Sequence, residues 1–235
     1  TRRSSDLQRK LYLANQDRIA QQVQHREAGE FKKDKLKVLA ELTKLRQICC
    51  DPRLHYEDYK AGSAKLDTCM ELVHSALDGG HRILLFSQFT GMLDIIGKRL
   101  AKEDIAFLKL TGASSKESRA KMVAQFQAGE VPVFLISLKA GGVGLNLTAA
   151  DVVIHYDPWW NVAAQDQATD RAHRIGQQHT VTVYKLIAKD TIEERIMRMQ
   201  ESKRDLVNSV LGGDGISSAL FTREDVLALL GGDGR

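Results

Sequence analysis

The sequence predicts an α/β domain built on a parallel sheet, with helices before and after it. Two observations lead to this prediction. From residue 82 onward, short and nearly continuous apolar runs alternate with amphipathic segments, as in strand–helix–strand units. Before residue 82, apolar residues recur every three or four positions, which is the period of a helix. Strands of this kind are buried on both faces, so we expect helices on both faces of the sheet.

Three helices are predicted ahead of the sheet. Residues 5–27 contain neither Gly nor Pro, and a second helix over 32–49 carries a stripe of leucines. Asp51 and Pro52 end the second helix, because the residue before a proline is driven out of the helical region. After a loop over 52–62, a third helix over 63–77 ends at a glycine pair.

The predicted sheet then follows in chain order. Its strands and helices alternate, and the last helix leads into a Gly- and Ser-bearing tail over 212–235 with one short helix near 223–230. The predicted strands are 83–86, 106–110, 131–136, 151–155 and 181–186, and the predicted helices are 91–102, 116–128, 161–172 and 191–211.

Composition excludes several classes of protein. The chain has 235 residues, 43% of them hydrophobic, with 34 Lys+Arg against 30 Asp+Glu, which is typical of a globular domain and not of a disordered one. Three cysteines make neither a disulfide framework nor a CxxC zinc site, so we expect a reducing compartment. The apolar runs are too short for a bilayer, and the polar start shows no signal peptide. The starting Thr1 suggests a fragment of something longer.

Charge is spread unevenly along the chain. Residues 1–60 hold 14 Lys/Arg against 9 Asp/Glu, whereas residues 61–235 hold 20 against 21. A basic segment of this kind fits either a polyanion partner or an ordinary solvated pair of helices, and charge alone leaves both open.

A glycine-rich loop over 137–147 follows the third predicted strand. Ligands of parallel sheets bind at the carboxyl ends of strands, and glycines allow close approach to a phosphate. Gly142 and Gly144 fit half of a dinucleotide fingerprint, but Leu147 stands at the third glycine position. A nicotinamide-dependent enzyme and a tight structural turn remain alternatives here. No GxxxxGK[ST] loop and no Asp-Glu pair after a strand occur, so the chain lacks the means to hold a nucleotide and magnesium alone.

The segment 161–178 carries a second candidate site. On a helix, Gln167, Arg171 and Arg174 share one face at i, i+4 and i+7. Two guanidiniums one turn apart suit a phosphate chain, and an arginine supplied in trans neutralises charge during phosphoryl transfer. The alternative is a surface helix whose arginines pair with Asp166 and Asp170.

Metal binding and nucleophilic catalysis are not expected. His155, His173 and His179 lack metal-ligand spacing with any cysteine or carboxylate cluster. Ser137 has no accompanying His–Asp pattern.

The segment around the two arginines resembles the last helicase motif of the Swi/Snf family of DNA-translocating ATPases, in helicase superfamily two. Other motifs of that family follow in the same order, and the resemblance covers about 7–230. Val162 stands where the family has Pro, and Thr111 where Asp is common. The segments that carry the resemblance are LRQIC at 45–49 with Pro52, SAKL at 63–66, ILLFSQF at 83–89, LTG at 110–112 with Arg119 and Phe126, SLKAGGVGLNL at 137–147, WN at 160–161, QATDRAHRIGQ at 167–177 and TIEERI at 191–196.

The resemblance implies a RecA-like fold and a division of the chain. Residues 1–62 would be the family's helical protrusion, 63–211 the C-terminal RecA-like lobe, and 212–235 a tail. The P-loop and Asp-Glu box would belong to an N-terminal RecA-like lobe of the same polypeptide. That lobe would hold ATP and Mg²⁺, so the isolated chain is expected to be inactive and monomeric.

The resemblance also assigns residues. Arg171 and Arg174 would reach ATP as catalytic arginines, and Gln167, Gly144 and Asn146 would lie on the nucleotide side. The expected partner is double-stranded DNA, bound without sequence preference. No membrane partner is expected. The expected location is intracellular, the bacterial cytoplasm or nucleoid, or the nucleus in a eukaryote. A non-catalytic DNA- or protein-binding module remains the alternative. Contacts with the DNA backbone are expected from Ser87, Gln88, Lys139 and Trp160.

Two further residues are interpreted on local grounds. Trp159 is expected to pack against the core. Lys65 fits either a phosphate contact or a simple surface charge, and the sequence leaves both open.

Overall fold

The structure, a computed structural model, describes residues 6–25, 28–141, 145–159, 162–172, 180–210 and 222–231. Within these ranges, the side chains of 28–33, 139, 141, 162–164 and 202–210 are not described. The described helices are α1 (Asp6–Gln24), α2 (Ala28–Cys50), α3 (Ala64–Asp78), α4 (Thr90–Lys102), α5 (Lys116–Ala128), α6 (Leu138–Gly141), α7 (Val162–Thr169), α8 (Ile192–Val210) and α9 (Arg223–Leu230). The strands are β1 (Ile83–Ser87), β2 (Phe107–Leu110), β3 (Val133–Ser137), β4 (Val152–His155) and β5 (Thr182–Lys185).

The five strands form one parallel sheet in the order β2-β3-β1-β4-β5. The predicted fold is therefore confirmed, with strand ends within about two residues of the predicted ones. The central strands β1, β3 and β4 are buried along their whole length, as their apolar runs require. The edge strand β5 differs, because all four of its residues are exposed.

Helices cover both faces of the sheet, as predicted. On β3, the neighbouring residues Phe134 and Leu135 point to opposite faces because side chains alternate along a strand. Phe134 packs against Phe126 of α5, with ring centroids 5.4 Å apart. On the other face, the space above Gly97 of α4 is filled by Phe107 and Leu135.

The described chain divides into two compact units. The sheet unit is Leu66–Leu186, and the helical unit comprises the residues up to Lys65 together with those from Ile187 onward. The predicted division of 1–62, 63–211 and 212–235 differs from this, because α8 and α9 group with α1 and α2. One contact that joins α8 to α1 is the hydrogen bond from the Ile192 amide to the Tyr12 hydroxyl, at 2.7 Å.

Within the helical unit, side chains cap the ends of its helices. Arg223 of α9 donates to the carbonyls of Val23 and Gln24 at the end of α1, at 3.2 and 2.9 Å. Arg195 of α8 donates to the Leu229 carbonyl at 3.0 Å, near the end of α9. Because the last carbonyls of a helix have no partner inside it, these guanidiniums stabilise the packing of α1, α8 and α9.

Candidate functional site

A cavity of about 400 Å³ opens at the carboxyl ends of β1, β2 and β3 in the sheet unit. The parallel register aligns Ser87 of β1 with Ser137 of β3, so the residues that follow these strands meet at one edge. Gln88, Thr90, Thr111 and Ser137 contribute polar groups to the lining. This is the edge at which parallel α/β sheets bind their ligands.

The Ser137 hydroxyl is an unsatisfied buried group of this lining. The residue is only 3% exposed, and its Oγ has no hydrogen-bond partner within the described part of the chain. A buried hydroxyl without a partner is unfavourable by roughly 1–3 kcal/mol, so a ligand atom that accepts its proton gains that energy. Ser137 therefore marks the floor of the cavity as a place for an acceptor such as a phosphate oxygen.

The first turn of α4 also faces the cavity, through Thr90. The preceding residue, Phe89, occupies the capping position and makes no side-chain hydrogen bond to the helix. The first amides of a helix point out of its end and carry the positive pole of the helix dipole. The Met92 amide donates to the Phe89 carbonyl at 3.0 Å, so the anion-binding end of α4 is its first two amides, which the apolar cap residue gives no side-chain acceptor.

Among the residues that the structure describes, the rim of the cavity carries one cation and one anion. Lys109 of β2 and Asp94 of α4 form an ion pair with half-exposed side chains. Water screens such a pair, so an incoming phosphate competes with Asp94 for the lysine at modest cost.

The predicted DNA contacts Ser87 and Gln88 lie at this edge, but Ser87 is engaged internally. Ser87 is fully buried and donates to the Asp157 carboxylate at 2.5 Å, while its oxygen accepts the Phe89 amide at 3.1 Å. The Gln88 amide reaches the same carboxylate at 3.3 Å. Asp157 therefore shapes the turn that leads into α4, and the DNA contacts of Ser87 and Gln88 stay predictions.

The other two predicted DNA contacts cannot be placed in the same way. Trp160 and the side chain of Lys139 lie outside the described residues. Trp159 packs against the hydrophobic core of the sheet unit, as predicted.

The arginine segment differs from its prediction. The predicted helix over 161–172 ends at Thr169, and the amides of Arg171 and Ala172 bond to carbonyls three residues back, at 3.3 and 3.0 Å. Such bonds wind the chain more tightly than an α-helix, so Gln167 and Arg171 do not share one helical face. Gln167 is exposed, whereas Arg171 is only 3% exposed. The shared face predicted for these two residues is therefore wrong.

The remaining residues predicted on the nucleotide side are only partly described. Asn146 is exposed, beside the buried Leu147. Gly144 and Arg174 lie outside the described residues. The nucleotide roles of all five residues, Gln167 and Arg171 included, stay predictions.

His155 ends β4 close to α7. It is buried, stacks on Phe86 with ring centroids 5.5 Å apart, and places Nε2 2.9 Å from the Thr169 hydroxyl. Burial, with the charge of Lys185, lowers the pKa of His155 to about 4. The imidazole is therefore neutral at pH 7. In the described part of the chain no three His, Cys, Asp or Glu residues group as metal ligands.

Lys65 has neither of the two roles that the sequence left open. Its side chain is 6% exposed and pairs with the fully buried Glu193 inside the helical unit. The cost of burying a lone ammonium is large, so the buried carboxylate explains why a lysine is tolerated there.

Sequence reasoning missed the two side chains that distinguish this edge, the unpartnered Ser137 hydroxyl and the Asp157 carboxylate that holds the turn after β1. Both residues follow or end a buried strand, which was the available signal. The sequence predicted a phosphate approach for the glycines of the loop 137–147 but assigned no such contact to the Ser137 side chain.

The chain is similar to known proteins in both sequence and structure. Residues 64–176 match the helicase conserved C-terminal domain family. The putative ATP-dependent helicase/translocase YwqA of Bacillus subtilis is 42% identical over 195 residues, which are 80% of this chain and 21% of that protein. The chain spans about a fifth of the length of the curated relatives it matches.

Solved structures give the same family. The SWI2/SNF2 ATPase C-terminal domain of Sulfolobus solfataricus is 30% identical, covers 96% of this chain and 93% of its own, and superposes with a TM-score of 0.77. The SWI2/SNF2 ATPase core of the same organism, solved in complex with dsDNA, is 33% identical and superposes with a TM-score of 0.79. That match covers 97% of this chain and 48% of the Sulfolobus chain.

The parallel sheet and these matches define the chain as a RecA-like helicase C-terminal domain. Within that class it belongs to the SWI2/SNF2 ATPase family. Separately, no helix in the described ranges has the length and apolar character needed to cross a membrane.

Proposed function

We propose that this chain is the second, C-terminal motor lobe of an ATP-driven double-stranded DNA translocase of the chromatin-remodeller type. One observation carries the proposal: the cavity at the ends of β1, β2 and β3 combines an unpartnered buried hydroxyl with a helix start that has no side-chain cap. A phosphate of the DNA backbone satisfies both features. The relative solved with dsDNA supports the choice of ligand.

On the DNA side, the cavity holds a phosphate through groups that do not read bases. The Ser137 hydroxyl donates to a phosphate oxygen, the first amides of α4 face it, and Lys109 supplies positive charge on the rim. Contacts of this kind fix the protein on the duplex without sequence preference. Binding is therefore independent of sequence and weakens with salt, as counterions are released from the phosphates.

On the ATP side, this lobe supplies Arg171 and Arg174 across a cleft to a nucleotide held mainly by an N-terminal RecA-like lobe. The sequence contains no P-loop, so that lobe is the holder of ATP and Mg²⁺. Bound Mg²⁺ neutralises charge on the transferring phosphate, and the guanidiniums add to that neutralisation. Gln167, Gly144 and Asn146 serve the nucleotide on this side. The partner DNA and the bacterial relative fit an intracellular location.

The burial of Arg171 favours a second candidate function, a non-catalytic module that grips DNA or a protein partner. A buried guanidinium presents little of its surface to a neighbouring lobe. If Arg171 makes no contact with a nucleotide, the chain binds without contributing to hydrolysis.

The DNA side is tested by binding of a labelled duplex to the full-length protein that contains this chain. Ser137→Ala is expected to weaken binding about tenfold or more, the effect of losing one hydrogen bond to a charged group. The melting temperature should not fall, because the free hydroxyl costs stability in the unliganded protein. Ser118→Ala, an exposed serine on α5, is the control.

An unchanged dissociation constant in Ser137→Ala would remove the cavity from the DNA site. A strong preference between two duplexes of different sequence would contradict the phosphate mode. The isolated chain is expected to hydrolyse no ATP and to bind DNA only at the ~10⁻⁴–10⁻⁶ M typical of non-specific contacts.

A further inference from the structure

Helix α5 is a firmly anchored element of the sheet unit. Ser115 caps its start by accepting the Ser118 amide, and Gly129 ends it with a left-handed backbone. Phe126 anchors its last turn, because the ring is fully buried against Phe134 of β3. A helix that is capped at both ends and anchored in the core is a suitable frame for a neighbouring loop.

One side chain of α5 holds the segment that opens the glycine-rich loop. Arg119 donates from Nη1 to the carbonyl of Ala140 at 3.1 Å. Ala140 lies in α6, immediately after Ser137 and β3. The guanidinium therefore fixes the backbone on the side of the loop that adjoins the cavity.

A second side chain of α5 holds the segment that closes the loop. Gln127 lies about two turns after Arg119, ~12 Å along the axis. It donates from Nε2 to the Thr148 hydroxyl at 3.2 Å and accepts the Ala149 amide on Oε1 at 2.9 Å. The nitrogen and the oxygen of one carboxamide hydrogen-bond to two consecutive residues, so the side chain fixes the position and the orientation of this backbone.

The segment held by Gln127 also holds the arginine turn. The Leu147 amide donates to the Arg171 carbonyl at 3.0 Å. Leu147 is fully buried and is followed directly by Thr148 and Ala149. A displacement of this segment therefore moves the backbone of Arg171, which lies beyond the end of α7.

We propose that α5 is a bracket for the glycine-rich loop and that Gln127 is a positioning residue for the Arg171 turn. Arg119 fixes the end of the loop beside the cavity, and Gln127 fixes the end beside the arginine. Through the segment 147–149, the helix that fixes the cavity side of the loop also sets the position of Arg171. This inference rests on the proposed function for its effect on turnover, but the contacts themselves are testable without it.

The first experiment measures hydrogen exchange of the isolated chain or the full-length protein. Gln127→Leu keeps the length of the side chain and removes both hydrogen bonds, so the amides over 147–150 and 170–172 are expected to exchange about tenfold faster. Gln127→Glu keeps an acceptor for Ala149, and the Thr148 hydroxyl can turn to donate, so exchange should stay within about twofold of wild type. Gln125→Leu, on the same helix, is the control.

The second experiment measures DNA-stimulated ATP turnover of the same variants in the full-length protein. Gln127→Leu is expected to lower kcat about tenfold or more, with the KM for ATP and the DNA dissociation constant within about twofold of wild type. Gln127→Glu restores most of kcat. Thr148→Val removes one of the two bonds and gives an intermediate kcat, which keeps the test valid if the leucine variant folds poorly.

If Gln127→Leu has the kcat and the amide hydrogen exchange of the wild-type protein, the proposal that α5 is a bracket for the loop is overturned. An equal loss in Gln127→Leu and Gln127→Glu would also overturn it, since the effect would not run through these hydrogen bonds. If the wild-type protein shows no DNA-stimulated turnover, the proposed function fails, and the exchange experiment still decides on the bracket by itself.

Discussion

The buried ion pair between Lys65 and Glu193 gives the sharpest stability prediction. The lysine side chain is 6% exposed and the glutamate side chain is not exposed at all. The Glu193 carboxylate also accepts the Ala188 amide at 2.8 Å. Burial lowers the pKa of Lys65, but the charge of Glu193, its hydrogen bond and the neighbouring Cys50 and Cys49 together outweigh burial and raise that pKa, so the ammonium stays charged in the fold.

The perturbation is Glu193→Gln, which keeps the shape of the side chain and removes its charge. The Lys65 ammonium is then buried without a counter-charge, and breaking a buried pair in this way costs ~3–5 kcal/mol. That is a large share of the 5–15 kcal/mol that stabilises a typical domain. The double variant Lys65→Met with Glu193→Gln removes both charges, so we expect its loss to be well below the sum of the two single losses.

The assay is the free energy of unfolding of each variant in urea, with the cycle completed by Lys65→Met. The control is Glu41→Gln, which breaks the ion pair of Glu41 with Arg18, whose side chains are 31% and 42% exposed. That surface pair is expected to contribute at most ~1 kcal/mol. A loss in Glu193→Gln as small as that of the control, or two single losses that simply add, would refute a charged and buried pair.

Two other changes have defined outcomes. The pKa of His155 lies near 4 in the fold against 6.5 for an ordinary histidine, so the unfolded chain binds the proton first as the pH falls. The contribution of the neutral His155 to the free energy of unfolding is therefore fully present above about pH 6.5, and ~3 kcal/mol of it is lost as the pH falls from 6.5 to 4. His155→Gln should flatten this part of the curve of unfolding free energy against pH, and an unchanged slope would count against a neutral buried imidazole. Gly129→Ala is expected to lower stability by ~1 kcal/mol or more, because φ is +81° and the Arg82 guanidinium occupies the space of the new methyl group. Gly112→Ala, with open space around it, should stay within ~0.5 kcal/mol of wild type in the same thermal melts, and equal losses at the two glycines would contradict this reasoning.

The fold was predictable because its signals are local. The apolar runs at β1, β3 and β4 are buried along their whole length, and their alternation with amphipathic segments predicted them. Helix α5 has the predicted bounds, because Ser115 and Gly129 cap it within the sequence itself. The exposure of β5 was not predictable, since it depends on the position of this strand at the edge of the sheet.

The candidate site was less predictable, because its groups act through long-range contacts. Helical spacing placed Gln167 and Arg171 on one face, but the Leu147 amide takes the Arg171 carbonyl and the chain turns tightly instead. Lys65 is buried because Glu193, 128 residues away, lies beside it. No local pattern contains such a pairing. The edge at which the cavity opens was predictable from the rule that parallel sheets bind ligands at the carboxyl ends of their strands.

The most direct measurement is DNA-stimulated ATP hydrolysis by the full-length protein with Arg171→Ala or Arg174→Ala. If this lobe completes the active site of a partner lobe, kcat falls ~10³-fold or more in at least one variant, as for other arginines supplied across a cleft. The dissociation constant for duplex DNA should change less than about threefold. Wild-type turnover in both variants would contradict the motor-lobe account and leave a module that only binds.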